Sequence, residues 1–382
     1  MSKAMKKKLL IGLASLVGLF IIIYIIIPTP TEFELSNLNV SPKEVEPGET
    51  VTVAVEVRNV GEEKGTHELE LIIDGLVEQS ESVTLDGGET TSISFSVEKD
   101  MEGSYSVELA GLTGIFQVVE PRPLTVHFID VGQGDSILLD LGDIEVLIDG
   151  GDKSSGVVSY IEDYVDGSLE VMVATHPHAD HIGGLIAVLG AFEVDEIWLN
   201  GDISTSKTYS QFMSAVNSER AKVFVARRGD IIQVGNLTFN VLHPLNLSGK
   251  TNNNSIVLSF SYGQVDFLFT GDAEQEAEAS MLTEGIVPDV EVLKVGHHGS
   301  RKSSSIQFLQ VAKPECTIYM AGQGNNNGHP HQETIINLCE VGAEIYGTDF
   351  HGTIRITTDG ETYNLLPSSN VPQVICPPSY NS

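Results

Sequence analysis

Apolar and polar positions change rhythm along the 382 residues in three stages. The first is an unbroken apolar run from Leu9 to Ile27, preceded by Lys3, Lys6, Lys7 and Lys8 and ended by Pro28 and Pro30. Such a run, helical at about 1.5 Å per residue, rises roughly 28 Å, close to the hydrocarbon thickness of a bilayer. It predicts a single membrane-spanning anchor over 1–30, with the N-terminus in the cytoplasm and the soluble domains outside it. A cleaved signal segment is the alternative and would leave the remainder secreted. Its apolar stretch is normally shorter and followed by small residues, whereas this one ends in IIIYIIIPTP.

From 31 to 120 the rhythm shortens to alternation. Val51 to Val57 (VTVAVEV), His67 to Ile73, Ser92 to Val97 and Tyr105 to Leu109 place apolar residues at every second position, as half-buried strands do. Pro47-Gly48, Asp74-Gly75, Asp86-Gly87-Gly88 and Glu102-Gly103 supply the turns. A small all-β sandwich is expected. The run PGETVTVAVEVRNVGEEKGTHELELIIDG, followed by LDGGETTSISFSV, resembles the CARDB-type immunoglobulin-like modules of prokaryotic surface proteins. With 4 basic and 20 acidic residues, this segment reads as a solvated, repulsive spacer.

After a stiff linker at 121–123, strands and helices alternate over 124–366. Strands are predicted at 124–130, 136–141, 144–148, 171–175, 265–270 and 290–295. Helices are predicted at Gly183–Leu189, Tyr209–Ser218 and Glu274–Glu284. The tail, 367–382, is uncharged and proline-rich, and is expected to be disordered.

Composition narrows the function. With 21 basic and 53 acidic residues the chain carries −32, a field that repels nucleic acid and anionic lipid unless a local basic patch or bound cations intervene. Three cysteines without a CxxC pair exclude a disulfide framework and a cysteine-ligated structural zinc, and leave at least one thiol free.

The chemistry concentrates in His176-Pro-His178-Ala-Asp180-His181, directly after an apolar strand and before Gly183-Gly184. Four potential ligands within six residues can fan from a strand end towards one point. Imidazole with carboxylate suits Zn²⁺, with Mn²⁺ or Fe²⁺ as alternatives. Asp272 after VDFLFT, His297-His298 after VEVLKV, and His243 after FNVL emerge in the same way. Singly, each such histidine is more often a packed or surface residue; together they point to two metals, with Asp272 able to bridge them.

These motifs resemble the metallo-β-lactamase superfamily: HPHADH, the aspartate of FTGDA, the histidine of VGHHGS, and Asp149 in LIDGG. More narrowly, VHFIDVGQGDSILLDLG, HPHADHIGGL, VLHP, NNNSIVLSFSYGQVDFLFTGDAE, LKVGHHGSRKSSS, GHPH and GTIRITTDG resemble, in order, the hydrolase domain of ComEC-type DNA-uptake proteins. The resemblance implies an α/β fold, the αββα metallo-β-lactamase sandwich, here preceded by the small immunoglobulin-like sandwich and the N-terminal transmembrane helix. It implies that His176, His178 and His243 hold one ion, and that Asp180, His181 and one of His297/His298 hold the other, with Asp272 between them. His298 is favoured as ligand, with His297 beside the substrate.

The reaction expected is hydrolysis by a water deprotonated between two divalent cations, Zn²⁺ first and Mn²⁺ second, with Asp180 orienting it and His297 acting on the substrate. Ser300, Arg301 and Lys302 form the one basic step next to these motifs and could grip a phosphate; solvated loop charges are the plain alternative. Asn252, Asn254, Ser255, His329 and His331 are candidate substrate contacts by resemblance, and Asp149 and Asp130 candidate carboxylates bracing the ligands. Asp135 flanks the Gly132–Gly134 turn. ComEC proteins also carry a multi-helix channel and an OB-like domain, whereas one apolar segment is present here. The expectation is therefore a membrane-anchored extracytoplasmic phosphodiesterase or nuclease acting on a phosphodiester such as DNA, alone or with a separate channel or surface partner. Alternatives are hydrolysis of another ester or amide (an envelope phosphodiester, a lactam-like bond) and a non-catalytic surface-binding protein.

Overall fold

The structure, a computed structural model, describes residues 29–119, 122–369, 371–374 and 376. The chain divides into two compact units between Pro121 and Arg122. In the N-terminal unit, strands Phe33–Ser41, Thr50–Asn59 and Thr90–Glu98 form one sheet in that order. A second runs Glu44–Val45, Leu112–Val118, Gly103–Leu109, Gly65–Ile73, Leu76–Leu85. Alternation explains the core: Val51, Val53, Val55 and Val57 all point inwards, to a cluster with Leu69, Leu71, Ile73, Val107 and Leu109. The pattern did not reveal Leu76–Leu85, because most of its length is exposed and it has little buried face to alternate.

The second unit stacks two sheets. The eight-stranded one runs Lys222–Val225, Val194–Leu199, Leu169–Ala174, Glu145–Ile148, Ile137–Asp140, Leu124–Phe128, Ile354–Thr358, Tyr363–Pro367. The seven-stranded one runs Ile231–Val234, Leu237–His243, Val257–Tyr262, Val265–Phe269, Val292–Lys294, Cys316–Tyr319, Glu344–Gly347. Phe128, Val126 and Val173 of the first sheet share one core with Phe239, Phe260, Phe267, Phe269 and Ile318 of the second. On the far side of the first sheet, helices Val157–Ile161, Leu185–Ala191 and Lys207–Ser218 bury Ile161, Leu185 and Phe212. Helices Gln275–Glu284, Ile306–Ala312 and Gln332–Glu340 bury Met281, Leu309 and Leu338 against the second. The result is an αββα sandwich. Val265–Phe269 shows why its central strands read as continuous apolar runs: Phe267 and Phe269 enter the shared core, while Leu268 enters the helix layer behind.

The strands that matter most for chemistry are parallel neighbours. Glu145–Ile148 pairs in parallel with Leu169–Ala174, and Val265–Phe269, Val292–Lys294 and Cys316–Tyr319 pair in parallel in turn. Their C-terminal ends therefore open onto common edges of the two sheets, where ligands bind in α/β folds.

The sequence-based expectation of a membrane anchor needs correction. The helix predicted over Leu9–Ile27 lies outside the described residues. Among the described residues no helix is long and apolar enough to cross a membrane. The longest, Lys207–Ser218, has 12 residues, a rise of about 18 Å against a hydrocarbon core of about 30 Å. The fold shown is thus the sandwich preceded by a small β unit, with no membrane-spanning helix among the described residues. The membrane as partner, the anchored hydrolase, and the placement of the domains outside the cytoplasm rested on that helix and have no support among the described residues.

The tail also differs from expectation. Cys339 and Cys376 form a disulfide across 37 residues, leaving Cys316 as a buried thiol. Ser368, Ser369 and Val374 donate backbone hydrogen bonds to Thr353, His351 and Ile345. Residues 370, 375 and 377–382, like Glu120 and Pro121 at the linker, lie outside the described residues.

Candidate metal centre

Two loops bring the first ligands into place. In the DVGQGD turn, Asp135 donates its backbone N–H to the carbonyl of Asp180, so this turn lies against the HPHADH motif. Gly134 is required there, since a Cβ would come within 2.2 Å of the Asp180 carbonyl oxygen. Gly184 allows an equally close approach, its own Cβ position lying 1.9 Å from the Gly150 carbonyl oxygen. At the end of Val292–Lys294, His297 and His298 both adopt left-handed φ angles of 47° and 54°, a conformation that costs about 1–3 kcal/mol at each non-glycine residue. Hydrogen bonds from His297 N to Gly271 O (3.1 Å), from Ser300 N to His297 O (2.8 Å) and from Ser303 Oγ to Gly296 O (2.7 Å) hold this turn.

The side chains then converge in two groups that share Asp272. His181 Nε2 and His298 Nε2 lie 3.3 and 3.4 Å from Asp272 Oδ1, and Asp180 Oδ2 lies 3.4 Å from His298 Nε2. On the other side, His176 Nε2 lies 3.6 Å from Asp272 Oδ2 and 3.0 Å from His178 Nδ1. Donor atoms about 2.0–2.1 Å from one tetrahedral ion sit about 3.3 Å apart, which these separations match. His181 Nε2, His298 Nε2 and Asp272 Oδ1 are also buried with no hydrogen-bond partner. Orphaned donors and acceptors of that kind normally have a partner, and a cation supplies one. The residues therefore fit a binuclear divalent-metal site, one pole at His181/His298 and the other at His176/His178, with Asp272 between.

The imidazoles are oriented from behind. Asp149, fully buried, accepts hydrogen bonds from Thr175 N (2.8 Å), Thr175 Oγ1 (2.6 Å) and His181 Nδ1 (2.7 Å), so the His181 Nε2 lone pair faces Asp272. His298 Nδ1 donates to the Met320 carbonyl (2.9 Å), with the same consequence. Burial opposes charge on His298, but Asp272 and Asp135 outweigh it and push its pKa up to about 9. Burial likewise opposes ionisation of Asp272, yet His298 and His181 hold it well below the usual carboxylate range. The two shifts are reciprocal: imidazole and carboxylate each favour the other's charged form across the centre.

Not every sequence-predicted residue arrives. His243 turns its Nε2 to the Asn253 carbonyl at 2.7 Å and joins neither group, because a backbone acceptor ten residues away meets it first. Asp130 is exposed, accepting from Gly132 N within its own turn at 3.1 Å, and braces no histidine. Asn254 is buried and stitches two loops: its amide donates to Asp202 Oδ2 (2.8 Å) and Ser248 O (3.1 Å), so it has no face for substrate. Ser300 is buried too, and its Oγ accepts from Lys302 N at 3.4 Å. Arg301 is exposed and pairs with Glu333 at 3.6 Å, while Lys302 reaches to 3.8 Å from Glu274. Among the candidates for substrate contact, three lie against the centre: the His329 ring packs edge-on 5.4 Å from His297 with its Nδ1 buried and without a partner, Asn252 Nδ2 lies 3.2 Å from His297 Nδ1, and Ser255 Oγ accepts from Asp272 N at 3.1 Å. His297 stands at the rim, Nε2 3.7 Å from Asp272 Oδ2 and Nδ1 3.2 Å from Glu274 Oε1.

Sequence reasoning missed Asp135, Lys294 and Glu274. Asp135 approaches both His298 Nδ1 (3.2 Å) and His181 Nδ1 (3.8 Å). Lys294 was visible as the one charge closing the apolar strand VLK, a position where an ion must be paired.

An αββα sandwich with a histidine–aspartate pair of poles at its strand ends defines a metallohydrolase. The chain belongs to the metallo-beta-lactamase superfamily, which matches residues 129–322, just over half of its length, and it is a metallo-β-lactamase-fold hydrolase. The N-terminal unit matches CARDB over residues 31–110. Among curated proteins, the chain is 29% identical over 253 residues to ComE operon protein 3 of Bacillus subtilis, covering 60% of this chain and 32% of that one. It is 26% identical over 251 residues to Recombination protein 2 of Haemophilus influenzae, covering 63% and 30%. It thus spans about a third of the length of these relatives. A solved metallo-beta-lactamase fold protein, YhfI from Bacillus subtilis, is 16% identical with a TM-score of 0.43, covering 59% of this chain and 96% of that one.

Proposed function

We propose that the chain hydrolyses phosphodiesters with two Zn²⁺ ions. The observation that carries this reading is Asp272, whose two oxygens each face a different pole. A bridged pair of divalent ions supplies, when bound, a water of lowered pKa and neutralisation of charge on the attacked oxygens. The histidine-rich donor set favours Zn²⁺ over harder cations. Asp149 and the Met320 carbonyl hold His181 and His298 in the tautomers that present Nε2. Asp180, partly exposed at the rim, orients the attacking water. His297, held through Nδ1 by Glu274, presents Nε2 towards the leaving group, and His329 lies beside it for a substrate oxygen. Lys302 supplies the nearby positive charge.

The relatives carry names such as Recombination protein 2 and Competence protein ComA, which support a nucleic-acid phosphodiester. The charge of −32 works against a long polyanion. Phosphodiester chemistry is common to both a strand and a small ester, and a panel separates them. The full chain, loaded with Zn²⁺ or Mn²⁺, is expected to hold about two metal equivalents and to cleave bis-p-nitrophenyl phosphate. Asp272→Asn should lose metal and slow cleavage by roughly a hundredfold or more, since even outer partners of ligands are worth 10–100-fold. Single-stranded and duplex DNA in the same panel report whether strands are substrates. Loaded protein that opens a lactam or an acyl ester while leaving the phosphodiester intact would refute the assignment.

A further inference from the structure

Lys294 is an unexpected neighbour for a cation site. Its side chain is fully buried, its Nζ donates to the Gly271 carbonyl at 2.8 Å, and it forms an ion pair with Asp135. One ammonium thus ties three motifs together: the DVGQGD turn, the loop before Asp272, and the strand leading to His298. Asp135 in turn approaches the Nδ1 atoms of His298 (3.2 Å) and His181 (3.8 Å), the edges of the two rings turned away from Asp272. It does not compete for the Nε2 side, where Asp272 and Asp180 lie.

Charge explains the arrangement. Asp135, Asp149, Asp180 and Asp272 bring four negative charges to the centre, which two divalent cations balance. Lys294 then adds one more positive charge in a region screened from water, where such a charge acts strongly on its neighbours. A buried ammonium beside a cation site is costly unless it serves Asp135.

We propose that Asp135 and Lys294 form an electrostatic counterweight that sets how tightly the His181/His298 pole holds its metal. Asp135 strengthens that pole by polarising both imidazoles from behind, as carboxylates behind ligating histidines do. Lys294 fixes Asp135 in place and, by its own charge, limits the affinity. They are positioning residues: neither contacts substrate.

The two charges oppose each other, so their removal must act with opposite sign. The test is an equilibrium titration of the metal-free full chain with Zn²⁺ against a competing chelator, with folding followed by circular dichroism. Asp135→Asn is expected to weaken one of the two Zn²⁺ equivalents by about tenfold or more. Lys294→Met is expected to tighten an equivalent several-fold, and the double variant to lie between the two. Lys294→Gln keeps a donor towards Gly271 while removing the charge, and must also tighten binding; it decides the matter if Met at 294 prevents folding. A pair that serves only packing would weaken Zn²⁺ binding in every variant. Weakening in both Lys294 variants, or unchanged affinity throughout, overturns the proposal.

Discussion

Glu145 opens its strand with both carboxylate oxygens buried and without a hydrogen-bond partner. Burial, with Glu170, Asp166, Asp140 and Asp143 adding repulsion, pushes its pKa up to about 8. The folded chain thus keeps Glu145 protonated where the unfolded chain has already ionised it. The associated stability is complete below about pH 4.5 and is lost as pH rises to about 8. Glu145→Gln is expected to remove this loss, leaving a variant more stable than wild type at pH 8 and with a shallower dependence of denaturation midpoint on pH. Parallel slopes for the two proteins would contradict the buried-carboxylate account. Glu145 could not be singled out among 53 acidic residues, because its burial comes from neighbours in other strands. The site residues divide on the same ground. His176, His178 and His181 lie within six residues at one strand end, so their convergence needs little beyond local chain geometry. His243 has the same local pattern, yet a carbonyl in a separate loop takes its Nε2.

At the scale of elements, the loop after His298 depends on a helix for its form. Glu278, buried in Gln275–Glu284, accepts the backbone N–H groups of Ser304 and Ser305, the latter at 3.0 Å. Glu278→Ala would leave the buried Ser304 donor and the half-buried Ser305 donor unpaired, and is expected to cost about 2–6 kcal/mol, as two such groups at about 1–3 kcal/mol each imply. Urea denaturation measures the loss; Glu278→Gln, which keeps an acceptor, should recover part of it. A null result in Glu278→Ala would mean that water or a shifted loop satisfies these groups. Strands with alternating or continuous apolar residues were legible because burial on one or two faces leaves that mark directly. The predicted strand at 290–295 and helix at Glu274–Glu284 match Val292–Lys294 and Gln275–Glu284 to within two residues at each end. Lys222–Val225, at a sheet edge with most side chains exposed, carries no such mark.

For the whole molecule, the disulfide gives the most direct measurement. Cys339–Cys376 closes a 37-residue loop between helix Gln332–Glu340 and the tail, a constraint worth about 3–4 kcal/mol in chain-entropy terms. Cys339→Ser is expected to lower stability by about that amount and to leave both metal equivalents in place, since the poles stand on strand ends and loops elsewhere. Loss of metal in this variant would show that the tail supports the centre. The tail was read as disordered from its prolines and lack of charge, because composition cannot report a covalent bond formed with a distant helix. The same limit runs through the molecule. Local pattern alone determined the β unit, an alternating α/β domain and most ligand types, because periodicity and short spacing are properties of neighbouring residues, while the αββα class was implied by the resemblance of the motifs to a known superfamily. Tertiary structure decided which oxygen of Asp272 faces which pole, that Asp135 and Lys294 stand behind the histidines, and that His243 does not join them. Those outcomes depend on strands brought side by side from more than a hundred residues apart, where a shift of one ångström separates a ligand from a bystander.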